Sequence, residues 1–268
     1  MNVRECIKLR KSVRTYGGTV SSEDKNKLAE YIGALSNPFG VEVEFRFLNS
    51  AEHDLSSAVI VGTDEYIAAK VNNTAELFEL GYGYSFEALC LYAQSIGVGT
   101  VMLGGTLSRR TFEKAMELGR GEVMPLATPI GYPAQKMSMR EKMMRGAVKA
   151  NDRLPQNKLF FENSFDSPLS PENSGKYRDA LEMVRLAPSA VNKQPWRVVV
   201  CGDTVHFFKK GSKAFVSDEY DLQNIDMGIA LAHFDLTLKE EGISGQFIKK
   251  EPPFEVDGSM EYIISYEG

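Results

Sequence analysis

Apolar residues recur at helical spacing in two places that mirror each other. After Val20-Ser21-Ser22-Glu23-Asp24 they fall at Leu28, Tyr31, Ile32 and Leu35, and after Leu169-Ser170-Pro171-Glu172-Asn173 at Tyr177, Ala180, Leu181 and Val184. Both sets follow the i, i+3, i+4, i+7 rule of a half-buried helix. Each run begins with a serine able to accept from the free N–H groups of a first turn, and Pro171 suits that turn because its missing donor has no partner to lose. Pro38 and Pro188 close the two helices, since proline disfavours helical geometry in the residue before it. A strand follows each: Val41 to Leu48 alternates apolar with polar, and Val198 to Cys201 is continuously apolar.

A second matching pair is longer. Gly83 to Gly97 and Gly228 to Gly242 are apolar runs bounded by glycines at the same spacing, and the first is apolar on nearly every face, as a helix buried between layers must be. Their final glycines are natural C-terminal stops. The pattern then predicts a strand from Val98 to Leu103, a Gly104-Gly105 break, a short helix from Phe112 to Leu118 and a strand from Val123 to Ile130. The later half finishes with strands at Gln246 to Lys249 and Met260 to Tyr266, while Met143 to Asn157, polar around Pro155, reads as a connector or an exposed helix. Val3, Cys6 and Ile7 mark a short amphipathic helix at the start. These elements predict an α+β fold of two halves, residues 1–150 and 151–268, sharing a helix-strand-helix plan within one compact body.

Composition narrows the function. With 268 residues, 43% hydrophobic and 25% charged, the chain can bury a core without staples. A net charge of -5 and a pI near 5.4 give no general footprint for nucleic acid. Cys6, Cys90 and Cys201 stand in no disulfide or zinc spacing, and no stretch suits a membrane span or a signal peptide, so a soluble, cytoplasmic protein is expected. His53, His206 and His233 have no metal-ligand spacing, and no metal is expected; His233 reads as a hydrogen-bonded core residue and Cys90 as packing.

Three stretches could carry chemistry. If extended, Arg10-Lys11-Ser12-Val13-Arg14 aims two guanidinium groups and a hydroxyl to one side, a strip suited to a phosphate joined to a polyol; it also reads as a solvated helix end. Gly104-Gly105 either turns the chain tightly or lets a flat ring approach the backbone. Pro188-Ser189, Asn192 and Gln194-Pro195-Trp196 concentrate hydrogen-bonding side chains and the only tryptophan in an irregular segment whose path two prolines fix.

Arg10 to Arg14 resembles the arginine-rich N-terminal FMN motif of the nitroreductase family. Ala187 to Trp196 resembles that family's second FMN motif, and Ile96-Gly97-Val98-Gly99-Thr100, Gly104-Gly105 and Gly131-Tyr132-Pro133 resemble its later landmarks. The family's two FMN motifs ordinarily lie close together near one N-terminus, and a homodimer completes two sites. Here the first half has Ser36-Asn37-Pro38-Phe39-Gly40 in place of the second motif, and the second half has Asn163-Ser164-Phe165-Asp166 in place of the first. The losses are complementary. The chain thus resembles the single-chain, thermophile-type subgroup in which two degenerate halves form an intramolecular pseudo-dimer with one FMN.

The resemblance implies the following roles. Arg10, Lys11, Ser12 and Arg14 meet the phosphate, ribityl and pyrimidine edge of FMN; Pro188, Ser189, Ala190 and Asn192 reach the opposite edge, with Gln194 in support. Leu103, Gly104 and Gly105 lie near the reactive ring, and Arg140 is a further phosphate partner. No protein nucleophile is needed, because flavin carries the hydride while Arg14 tunes it. The implied activity is ping-pong transfer from NADH or NADPH to a nitroaromatic or quinone acceptor by a monomer or weak homo-oligomer. The rival reading is a non-catalytic flavin carrier or sensor.

Overall fold

Helix and strand signals resolve into two compact units in the computed structural model, which describes residues 1–268: Met1–Phe78 with Ser85–Ala150, and Glu79–Tyr84 with Asn151–Gly268. The chain opens with α1 (Val3–Leu9), β1 (Tyr16–Gly18), α2 (Ser22–Ala34), β2 (Val43–Asn49), α3 (Ser50–His53) and β3 (Glu65–Asn72). It continues with α4 (Phe78–Ser95), α5 (Arg109–Ala115), β4 (Glu122–Val123), β5 (Ala127–Pro129), β6 (Tyr132–Pro133) and α6 (Met139–Ala147). The second unit carries β7 (Phe160–Glu162), α7 (Arg178–Leu186), β8 (Trp196–Cys201), β9 (Thr204–Lys209), α8 (Leu222–Glu240), β10 (Gln246–Ile248) and β11 (Glu261–Glu267).

In the first unit β3 is the central strand, paired antiparallel with β2 on one side and with β4 and β5 on the other. Tyr66 to Val71 are all buried. The periodicity above passes over β3 because a strand covered on both faces shows an apolar run in place of alternation. The second unit's sheet runs β10-β11-β9-β8-β7, antiparallel except for the parallel β7–β8 pair. Every side chain of β9 is buried, and this strand too lies outside the sequence-predicted elements.

Local chemistry explains where elements start and stop. Ser21 Oγ accepts from Asp24 N at 3.1 Å and opens α2 where the serine predicts it. The matching helix does not begin at Pro171. Ser170 Oγ accepts from Asn173 N at 3.1 Å in a turn, Gly175 takes a φ of 53°, and α7 starts only at Arg178. Val98 to Leu103 is extended but makes isolated bridges at Gly99, Thr100 and Leu103, so no continuous strand forms. The expected strand from Val123 to Ile130 is split into β4 and β5. The region read as a connector or exposed helix overlaps α6, which begins earlier at Met139, with Ser138 Oγ accepting from Glu141 N at 3.1 Å.

The two long helices end as their glycines require: Gly97 adopts a φ of 78° and Gly242 of 71°. Their inner glycines serve packing. A Cβ on Gly83 would lie 2.1 Å from the Ile225 carbonyl oxygen, and one on Gly228 would lie 2.3 Å from that of Leu80. Within the second unit the opening turns of α4 therefore meet α8 backbone to backbone. Nearby, the Tyr84 hydroxyl donates to Asp235 Oδ2 at 2.6 Å.

Gly228→Ala should lower stability by about 1–3 kcal/mol, because neither carbonyl can yield without moving a helix. Gly33→Ala in α2, where an added Cβ meets nothing within 4 Å, should raise it by about 0.5–1 kcal/mol. Urea unfolding midpoints of the two variants check both signs.

Candidate functional site

In the first unit, the Arg10–Arg14 segment leaves α1 in extended geometry. Arg10 is the C-cap of that helix, with φ -60° and ψ 131°, and its N–H donates to Cys6 O. Ser12 forms a parallel bridge with Thr100, Val13 N donates to Thr100 O at 2.9 Å, and Val61 N donates to Arg14 O at 3.0 Å. Val13 faces inward against Gly99, where an added Cβ would stand 3.0 Å from its side chain. Lys11 is exposed, while Arg10, Ser12 and Arg14 are half-buried.

Two buried carboxylates hold the charge balance of this strip. Glu87, inside α4 and 0% exposed, forms an ion pair with Arg10 Nε at 3.4 Å. Glu141, in the first turn of α6, is also buried and accepts from Thr15 Oγ1 at 2.8 Å; that same hydroxyl is 3.0 Å from Ser138 Oγ. Burial pushes the Arg14 guanidinium below its ordinary pKa, and the Glu141 charge opposes that shift. An arginine so placed remains a cation. Sequence reasoning missed both acids. Glu87 had a signal, as the one charge in the apolar run Ser85 to Ala93; Glu141 had none, because its partner Thr15 is distant in sequence.

The Nε of Arg14 is buried and has no hydrogen-bond acceptor in the chain, whereas the buried Nε of Arg10 has only the ion pair with Glu87. Buried donors are nearly always satisfied, so a guanidinium edge left open fits an anionic or carbonyl-rich ligand. The Leu103–Gly105 segment fits a flat one. Neither Gly104 nor Gly105 has a positive φ, and a Cβ at Gly105 would meet nothing within 4 Å. Neither a left-handed turn nor tight packing demands glycine at position 105, whereas open approach to the backbone does use it. Gly104 O accepts from Arg109 Nη2 at 2.7 Å, and Leu103 is bridged to Ala127. Arg140 is exposed and donates to Ala58 O.

In the second unit, Pro188 to Gln194 form one irregular loop after α7. Val191, Asn192 and Gln194 have φ values of 42°, 58° and 51°, the left-handed region that a β-branched residue rarely enters. Ser189 Oγ accepts from Gln194 N at 2.8 Å, and Ala190 N donates to both carboxyl oxygens of Asp226, each at 3.0 Å. The Asn192 amide donates to Asp152 O at 2.9 Å, and Gln194 Oε1 accepts from Leu154 N at 2.8 Å. These two amide side chains thus brace the loop against residues 152–154. Pro188, Ser189 and Ala190 stay half-buried, Val191 and Lys193 are exposed, and Trp196 is fully buried where β8 begins.

The other titratable candidates belong to packing. His233 Nδ1 lies 2.8 Å from Met183 O, and burial pushes the Cys90 thiol up to about 12. No group of three or more His, Cys, Asp or Glu side chains comes together as a metal site. No helix is long and apolar enough to cross a membrane.

Removing Glu87 should leave the Arg10 charge buried without its counter-ion; Glu87→Ala is expected to cost about 3–5 kcal/mol in a urea titration. Burial also raises the Asp226 carboxyl well above the usual carboxylate range. The stability tied to its neutral form is fully present below the ordinary carboxylate pKa and is lost as pH rises toward the folded value. The stability of Asp226→Asn relative to the native chain should therefore increase from about pH 4 to about pH 7, read as the gap between urea midpoints.

No curated protein matches the chain. Among solved structures, one described as a "putative nitroreductase" from Thermotoga maritima is 21% identical, covers 99% of this chain and 92% of its own, and superposes with a TM-score of 0.62. That likeness shows a shared fold over the whole length. A "putative NADH dehydrogenase/NAD(P)H nitroreductase" from Parabacteroides distasonis is 24% identical, covering 52% of this chain and 90% of its own at a TM-score of 0.42. An "FMN-dependent nitroreductase" from Clostridium difficile is 13% identical, covering 50% and 88% at a TM-score of 0.42. The family model described as "Putative TM nitroreductase" matches residues 2–238, and the chain belongs to that family of nitroreductase-type oxidoreductases.

Proposed function

We propose that this protein is an FMN-dependent oxidoreductase that takes a hydride from NADH or NADPH and delivers it to an electron-poor aromatic acceptor such as a nitro compound or a quinone. The observation that carries this reading is the buried guanidinium Nε donor of Arg14, left without an acceptor within the chain, beside Arg10, whose Nε has only an ion pair with Glu87. Family membership supports the oxidoreductase class. Bound FMN would supply the hydride chemistry itself, so the protein's task is binding, orientation and electrostatics.

Each residue then has a physical role. Arg10, Lys11 and Ser12 offer charged and hydroxyl donors to the phosphate and polyol, and Arg14 offers its cation to the pyrimidine edge. Half-buried and so partly screened from solvent, that cation stabilises negative charge more than it would in water. Pro188, Ser189, Ala190, Asn192 and Gln194 contribute loop backbone and a hydroxyl, with the Asn192 and Gln194 side chains keeping the loop in shape. Leu103, Gly104 and Gly105 leave room for a planar ring. Arg140, exposed on α6, is an outer partner for phosphate. Acceptor and donor would use the same open side in turn.

The purified protein should be yellow, or become so with added FMN, at about one flavin per chain, and NADH or NADPH should bleach it under anaerobic conditions. A colourless protein that cannot be reconstituted overturns the proposal; flavin that binds without bleaching favours a carrier. Arg14→Ala should weaken FMN binding roughly 10- to 100-fold, the scale of a lost charge-assisted hydrogen bond. Asn192→Ala should weaken it as well, by loosening the loop. Unchanged affinity in both variants, measured by fluorescence titration, would remove these residues from the site.

A further inference from the structure

The loop from Pro188 to Gln194 holds three non-glycine residues at positive φ, one of them the exposed, β-branched Val191. Such a conformation persists only where its surroundings over-determine it. Several restraints are local. Asn192 N donates to Ser189 O at 3.0 Å, Lys193 N to Ala190 O at 3.1 Å, and Gln194 N to Ser189 Oγ at 2.8 Å. Others come from residues 152–154 through the Asn192 and Gln194 amides. Ala190 is gripped differently, by the Asp226 carboxyl, which rises from α8 and is 3% exposed.

Asp226 is costly where it stands. A carboxyl group in a helix interior is expected to be replaced by an apolar side chain unless it does something an apolar one cannot. Its neighbours Ile225, Met227 and Ile229 are buried and apolar, and Gly228, two residues on, accommodates the α4 backbone. The partner that Asp226 has in this structure is the Ala190 N–H, and α8 at this point is held in place by the glycine contact.

We propose that Asp226 is a positioning residue: it ties the Ala190 peptide to the part of α8 that packs backbone to backbone on α4 and so sets the shape that the Pro188–Gln194 loop offers to the flavin. The flavin half of this statement rests on the FMN reading above. The anchoring half does not. Asn at position 226 keeps an acceptor oxygen for Ala190, whereas Leu fills the volume without one and frees the strained loop to relax.

The test uses the full-length chain and two readouts. In the flavin-free protein, the Ala190 amide should be protected from hydrogen exchange by about 100-fold or more, and Asp226→Asn should keep most of that protection. Asp226→Leu should lose it and raise the Kd for FMN about tenfold or more, while Asp226→Asn stays within about threefold of the native value. Should the Leu variant not fold, Asp226→Ser, smaller and still polar, takes its place with the same expectation. An unprotected Ala190 amide in the native protein overturns the anchor. Protection lost in the Leu or Ser variant with FMN affinity unchanged overturns the positioning role. A native protein that binds no FMN defeats the flavin reading alone, and the exchange result still decides whether Asp226 holds the loop.

Discussion

The contact between the opening turns of α4 and the middle of α8 leaves no room for side chains. Two carbonyl oxygens, of Leu80 and Ile225, occupy the places where Cβ atoms of Gly228 and Gly83 would stand. This fixes more than a distance. Helices that meet through backbone cannot slide or rotate without collision, so every residue on α8 near Gly228 has a fixed direction. Asp226, two residues away, inherits that direction and delivers it to Ala190. The shape of an exposed loop is thereby tied to a buried helix contact.

A second constraint is the burial of acidic groups. The chain buries carboxyl groups at Glu87, Glu141 and Asp226, the last favouring its neutral form, and each meets a donor belonging to, or next to, a segment with a proposed binding role. Glu87 pairs with Arg10, Glu141 accepts from Thr15 beside Arg14, and Asp226 accepts from Ala190. Buried ionic groups add little net stability compared with apolar replacements. Their value here is direction: each holds one part of a charged or strained segment in a single place. A different buried group, Lys209, shows the purely structural use, tied to Asp221 and Asn224 at the start of α8 and to Glu261 on β11.

Much of the architecture was legible in the pattern of residues. Ser21 as a cap, Gly97 and Gly242 as helix stops, and the two long apolar helices follow from local backbone chemistry. Where the reading failed, local chemistry had competitors. Ser170 and Pro171 look like a helix start, but Gly175 at positive φ delays the helix to Arg178. Strands β3 and β9 escaped because full burial erases alternation, and Val98 to Leu103 lost its strand because its partners, Ser12, Gly131 and Ala127, come from three separate segments.

The sequence by itself determined the family and the identity of the candidate segments, because motif residues and glycine stops act over a few neighbours. Tertiary structure decided which groups those residues meet. It turned the Asn192 and Gln194 amides onto residues 152–154, paired Arg10 Nε with Glu87, left a buried Nε donor open on Arg14, and put Asp226 beneath Ala190. None of these pairings has a local signature. Each depends on which distant group shares a low-dielectric space, where an ion or a peptide N–H must find a partner or remain available for a ligand.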